Sequence, residues 1–156
     1  MTNIEKLIFK EKIIDGIRRF FKERNFHEMF TPTMVKVPSC EPNLEPFKVE
    51  DKYLIMSPEY SLKKIMALGF ENIFEIAKVF RNKEQESSWH KPEFMMLEWY
   101  RKNVDYKKIM TDFEELFISL NVNETLMYQG DKYDLKRPWP RFSVSELFSH
   151  ACRQAG

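Results

Sequence analysis

Glycine is nearly missing from this chain. Four occur among 156 residues, at Gly16, Gly69, Gly130 and Gly156, where average usage of about 7% would give roughly eleven. A dinucleotide fingerprint or a phosphate loop needs two or three glycines within about eight residues, and these four stand far apart. Both folds are excluded. The apolar share is 43% with 14 Phe, ample for a core, and the length fits one ordinary domain or a piece of a larger one. Charge is almost balanced, 25 Lys and Arg against 24 Asp and Glu. A global basic field for nucleic acid is therefore absent, while a local patch stays open. Cys40 and Cys152 form no C-x-x-C pair, which fits a reduced cytosolic protein better than a disulfide scaffold. No run approaches the ~18 apolar residues of a membrane span. Glu5-Lys6 stands where a signal peptide would place its apolar stretch. The expected location is cytoplasmic.

Apolar periodicity sets out the elements. Ile4, Leu7, Ile8, Ile14, Ile17, Phe20 and Phe21 recur at helical spacing, so residues 4–24 read as an amphipathic helix. Phe26 to Phe30 is a short strand candidate ended by Thr31-Pro32, because proline cannot donate to a ladder. Pro38, Pro42 and Pro46 make 36–46 a loop, followed by strand candidates at 47–50 and 53–56. Ser57-Pro58-Glu59 resembles a helix start with a hydroxyl cap, and Gly69 is a plausible stop. Residues 73–80 and 93–101 read as strands around a polar loop of about eleven residues, a length usually functional or disordered in compact domains. Asp105 should cap a helix with Tyr106, Ile109, Met110, Phe113, Leu116 and Phe117 on one face. Short strands and a helix from about Ser143 to Gln154 complete the chain. Strands in runs with helices set apart imply an α+β fold with an antiparallel sheet.

Strand parity then groups the chemistry, since side chains alternate faces. Glu75, Ala77, Val79 and Arg81 point one way in the first long strand; Phe94, Met96, Glu98 and Tyr100 share a face of the second. If the two faces coincide, one surface carries two carboxylates, a guanidinium, a phenol and a phenyl ring. The loop adds Glu84, Glu86, His90 and Lys91. Such a surface suits a phosphorylated, amine-bearing ligand: Arg and His for phosphate, Phe for a base, Glu for an ammonium. The solvated face of an antiparallel sheet alternates in the same way.

The residues themselves go further. Ser57-Pro58-Glu59-Tyr60, Val79-Phe80-Arg81-Asn82, His90-Lys91-Pro92-Glu93-Phe94 and Met96-Leu97-Glu98-Trp99-Tyr100-Arg101 resemble class II lysyl-tRNA synthetases and their short paralogues, the elongation factor P–lysine ligases. Order and spacing hold over roughly residues 10–120. The resemblance implies a class II synthetase-like antiparallel sheet flanked by helices. It places motif 1, with its dimer interface, at about 4–34 and motif 2 at about 73–102. It implies ATP and Mg²⁺ as cofactors, lysine or β-lysine as substrate, and elongation factor P or tRNA as acceptor. Arg81 takes the role of the arginine that grips the α-phosphate and stabilises charge during attack. Phe94 takes that of the ring against adenine, His90 that of a β/γ-phosphate contact. Asn82, Glu84 and Lys91 fall at nucleotide-side positions. Ser57, Pro58, Glu59, Glu98 and Tyr100 surround the amines of the substrate. Ser57 in S-P-E-Y, where synthetases usually read A-P-E-L, and Leu97-Glu98-Trp99-Tyr100 lean towards the ligases. A helix beginning at residue 4 leaves no N-terminal anticodon-binding barrel in the expected layout.

There are departures. Lys83 follows Asn82 where the family has Glu, and the loop to His90 is one residue longer, so Glu84 takes the adenine-side role and Lys83 is the inserted residue. Lys91 replaces an Asn and only donates; Trp89 replaces Arg or Tyr. Motif 3, with its glycines, and the acidic Mg²⁺ ligands are missing, so no metal ligand is expected in this chain. The expectation is the N-terminal half of a catalytic domain spanning 1–156, inactive by itself. Three functions follow: a ligase acting on elongation factor P, a lysyl-tRNA synthetase core, or a non-catalytic dimerising paralogue. His27 and His150 read as surface or packing residues, Met95 and Met96 as core filler. Lys63-Lys64 and Lys107-Lys108 read as solvated helix faces, and Cys40 as unreactive.

Overall fold

The computed structural model describes residues 1–83, 90–120 and 125–154. Two compact units divide it, Met1–Ile109 and Met110–Gly156. The first opens with helix α1, Asn3–Lys22. Thr2 and Glu5 close a capping box on it: the Glu5 amide donates to the Thr2 hydroxyl at 3.2 Å, and the Thr2 amide to the Glu5 carboxylate at 2.6 Å. Only its C-terminal half buries a face, through Gly16, Phe20 and Phe21. Ile4, Leu7, Ile8 and Phe9 stay exposed.

Strand β1, His27–Glu28, is shorter than the Phe26–Phe30 candidate. Beyond it the Thr31 amide turns to a side chain, the Glu75 carboxylate, at 2.8 Å. β1 lies parallel to β5, Asn72–Phe80, which is antiparallel to β6, Glu93–Arg101. The sheet is thus antiparallel at its long pair with one parallel edge. That parallel pairing needs a long crossover, and residues 29–71 supply it. They contain β2 (Met34–Val35), β3 (Lys48–Val49), β4 (Lys52–Leu54) and helix α2 (Glu59–Ala67). β2, β4 and β3 form a second small sheet. Ile55 stitches the sheets together: its amide donates to the Thr33 carbonyl at 3.0 Å, and its carbonyl accepts the Phe80 amide at 2.8 Å.

The β5–β6 pair is packed on both faces. On one, Phe21 stacks on Phe74 with centroids 4.8 Å apart and meets Phe26 edge-on at 4.9 Å and Trp99 at 5.6 Å. On the other, Ala77 and Val79 pack with Ile55, Val35, Phe94 and Met96. Aromatic burial of this kind dominates small cores. At α2, Gly69 has φ +115° and ends the helix as expected. The start differs. Pro58 is the cap residue and has no side-chain cap bond; the Ser57 hydroxyl, one residue earlier, accepts the Glu59 amide at 3.0 Å instead.

Helix α3 (Tyr106–Ser119) begins in the first unit and runs into the second; it buries Leu116 but also Asp112 and Glu114, while Phe113 is half exposed and Tyr106 more so. Of the expected apolar face, Leu116 is buried and Ile109, Met110 and Phe117 are half-buried, with Asp112 and Glu114 joining them on the buried side. Glu114 accepts the Trp139 amide at 2.8 Å and an Arg141 guanidinium N–H at 2.6 Å. Phe113 and Phe117 pack around Trp139 at 6.3 and 5.7 Å. Strands β7 (Thr125–Tyr128) and β8 (Asp131–Asp134) form a hairpin, and α4 spans Val144–Gln154. Ser143 and Glu146 exchange hydrogen bonds at the start of α4, which holds the Glu146 carboxyl below its ordinary range. No helix among the described residues is long and apolar enough to cross a membrane.

Candidate functional site

The nine-residue register between β5 and β6 decides whether the two polar faces meet. Ile73 pairs with Tyr100, Glu75 with Glu98, Ala77 with Met96 and Val79 with Phe94. They do meet. Half of that shared face is core, through Ala77 and Val79; chemistry is left at its two ends.

At the end formed by Glu75, Glu98 and Tyr100, the start of α2 comes across the sheet. The Ser57 hydroxyl donates a short hydrogen bond to Glu98 Oε1, and the Tyr100 phenol donates to Oε2 at 3.0 Å. Burial, then the Glu98 charge, pushes the Tyr100 phenol far above its ordinary value, so it stays a donor at neutral pH. Two neutral donors hold Glu98 in place, and a carboxylate with about four lone-pair sites still has capacity for an ammonium. Pro58 is buried beside it. Glu59 pairs with Lys63 one turn along α2, and that pairing raises the Lys63 pKa. Lys63 and Lys64 are exposed, as expected of a solvated helix face.

Glu75 belongs to the same face and is 5% exposed. Burial raises its carboxyl above the usual range, the Thr31 amide and hydroxyl oppose this, and the Glu98 charge adds to the rise. Parity put Glu75 on this surface but assigned it no role. Thr31, its donor, carried no sequence signal, because the contact spans 44 residues.

At the other end, the Arg81 guanidinium lies over the Phe94 ring, 5.2 Å from its centroid. This cation–aromatic pair offers charge and a flat apolar surface side by side, which fits the phosphate and base of a nucleotide. The ring is thus shared between the core and Arg81. Asn82 bridges to Glu45, its amide donating to the Glu45 carbonyl at 2.8 Å. Lys83 leaves the strand with φ +54° and pairs with Glu45 at 2.8 Å, a bulge-like position. His90 and Lys91 are exposed at the start of β6. Glu84, Glu86 and Trp89 lie outside the described residues. Among the described residues, no group of three or more His, Cys, Asp or Glu is placed to hold a metal ion. His27, exposed, meets Phe70 edge-on at 5.3 Å, a packing role.

The sequence model of tRNA synthetases class II (D, K and N) matches residues 2–154. The chain belongs to this family. Within it, a lysine--tRNA ligase of Magnetococcus marinus is 39% identical over 153 residues, covering 89% of this chain and 30% of the relative. A lysine--tRNA ligase of Chromohalobacter salexigens is 37% identical over 148 residues, 88% of this chain and 29% of the relative. An elongation factor P--(R)-beta-lysine ligase of Yersinia pestis is 35% identical over 139 residues, 81% of this chain and 42% of the relative. The chain spans well under half the length of these curated relatives. Class II synthetase membership and an α+β fold with antiparallel strands flanked by helices agree with the resemblance drawn from the motifs.

Proposed function

We propose that the chain is part of an ATP-dependent ligase that activates lysine or β-lysine as an aminoacyl-adenylate and transfers it to a lysine of elongation factor P. The observation that carries this is the Ser57–Glu98–Tyr100 network beside Glu59. It holds one carboxylate by neutral donors, leaving its charge for a substrate ammonium. Glu98 and Tyr100 take one amine of the substrate and Glu59 the other. ATP, when bound, supplies the phosphate that the substrate carboxylate attacks. Arg81 holds that phosphate and the charge developing on it, since a guanidinium fork matches phosphate oxygens. Phe94 lies under the base, with Asn82, Glu84, His90 and Lys91 at the nucleotide's edge. A second copy covers Ile4, Leu7, Ile8 and Phe9 on α1, and the protein works in the cytoplasm.

Ser57 in S-P-E-Y, hydrogen-bonded to Glu98, supports elongation factor P as acceptor. Transfer to tRNA is the second reading, supported by the 39% and 37% identity to lysine--tRNA ligases. The test is a protein of the relatives' length carrying these residues, given labelled lysine or β-lysine with elongation factor P and, separately, total tRNA. Label on the protein is expected. Efficient tRNA charging with no protein labelling would replace the first reading by the second.

A further inference from the structure

Glu75 is costly to bury and its known contact does not need its charge. It stands directly across from Glu98 on the same face of adjacent strands, where opposite residues are about 4.5–5.5 Å apart at Cβ. One oxygen accepts the Thr31 amide at 2.8 Å. The other is buried and meets the strict geometry of no hydrogen bond among the described residues, with only the Thr31 hydroxyl close enough to lower the carboxyl's pKa. Holding the Thr31 amide takes an acceptor, and a Gln carbonyl would serve. Two like charges directly opposite repel, and a buried carboxylate with an unmet oxygen is unfavourable. A cation at the pair relieves both.

Resting on the lysine-type substrate proposed above, we propose that Glu75 is a specificity-determining residue of the amine site: it places a second negative charge behind Glu98, favouring substrates whose side chain is cationic over apolar ones of similar shape. The groups on its face are few. Glu98 and Tyr100 come from β6, His27 from β1 in line with Ile73, and Glu59 with its partner Lys63 from α2. Of these only Glu98 raises the Glu75 carboxyl, second to burial. An arriving ammonium favours the ionised form. Where free Glu75 is protonated, binding expels that proton to solvent, and affinity rises with pH across the range in which free Glu75 titrates.

The test is calorimetric titration of the 156-residue chain with L-lysine and with norleucine, which lacks the terminal ammonium. Two buffers of different ionisation enthalpy, over the acid-to-neutral range, count protons. The wild-type chain is expected to release a proton with lysine and none with norleucine. Glu75→Gln keeps an acceptor for Thr31; it is expected to bind lysine roughly tenfold more weakly, on Coulombic grounds, and to release no proton. Its norleucine affinity and the Thr31 amide protection in hydrogen exchange should be unchanged. Equal lysine affinity and equal proton release in both proteins would overturn the inference while leaving the substrate reading in place. Equal weakening towards both ligands, with loss of Thr31 protection, would make Glu75 structural and overturn it too. Absence of lysine binding by the wild type overturns the inference, while the labelling assay with a protein of the relatives' length tests the substrate reading separately. Should the variant fail to fold, carboxyl-carbon NMR of wild-type Glu75 reads the same proton, and lysine leaving that signal unmoved would overturn the proposal.

Discussion

Glu75 in the first unit and Glu114 in the second are 5% and 2% exposed, yet their surroundings are opposite. Both oxygens of Glu114 are taken: Trp139 N–H at 2.8 Å on one, Arg141 at 2.6 Å on the other, with the Arg137 guanidinium 3.7 Å away. Glu75 has one amide and, beyond the neighbouring Thr31 hydroxyl, nothing for its second oxygen, and it faces another carboxylate. A buried carboxylate with a donor on each oxygen fastens chain to chain. A buried charge left partly unanswered is held in reserve for something the chain itself does not contain. On the proposal above, the difference separates a structural carboxylate from a functional one.

The largest effect expected from this contrast is on stability at the fastened end. Glu114→Ala removes the acceptor of a buried backbone amide and of a guanidinium. Arg137 and Arg141 are about half exposed and can be resolvated, so the cost should be about 2–3 kcal/mol rather than that of a stranded ion pair. Denaturant unfolding of the chain checks it, and an unmoved midpoint would erase the distinction between the two glutamates.

The basic side chains sharpen the comparison next. Arg141 serves Glu114, a role in which a lysine ammonium can partly substitute. Arg81 lies over Phe94 and is proposed to grip phosphate, where the planar fork matters. In a protein of the relatives' length, Arg81→Ala should slow lysine-dependent ATP–pyrophosphate exchange by at least about 10²-fold. Arg81→Lys should be nearly as damaging. A lysine variant with wild-type exchange would reduce Arg81 to a point charge.

A smaller effect concerns stability against pH. The folded Glu75 carboxyl is raised above its unfolded value, so between the two values the native state holds more protons than the unfolded one. Stability then falls as pH rises through that window and is level above it. Glu75→Gln should remove this slope and leave the chain as stable as wild type, or more so, at neutral pH. Denaturant midpoints measured across the acid range test this; a loss at neutral pH would make Glu75 a fastener like Glu114.

Why one glutamate could be anticipated better than the other is a matter of range. Alternation within Asn72–Phe80 and Glu93–Arg101 is local, so the face shared by Glu75, Glu98 and Tyr100 was legible before any register was known. Helix α2 ended before Gly69 and α4 began after Ser143, as expected. What periodicity could not carry was contact across distance. Glu114 is buried because Trp139 and Arg141, 25 and 27 residues on, reach it, and an i, i+4 pattern counts such a residue as solvated. The burial of Glu75 depends on Thr31 and the parallel pairing of β1, both set by a crossover of about forty residues. Ser57 was recognisable as a hydroxyl before a helix, but its partner Glu98 lies 41 positions away.

The smallest expected effect is at Lys63, and it tests the boundary of the comparison. Lys63 answers Glu59 as Arg141 answers Glu114, but on an exposed helix surface, at i, i+4, with the ammonium side chain 56% exposed. Such pairs contribute little because solvent screens them and two long side chains must be ordered. Lys63→Met should therefore leave the unfolding midpoint of the chain unchanged. Its consequence should be chemical: with Lys63 gone, Glu59 is open to the substrate amine, and the KM for lysine should fall by no more than about threefold, since an exposed pair offers weak competition. Steady-state exchange measured against lysine concentration distinguishes the cases. A KM that rises instead would mean that Lys63 orients Glu59 rather than competing for it, and would place Glu59 with the fastened carboxylates.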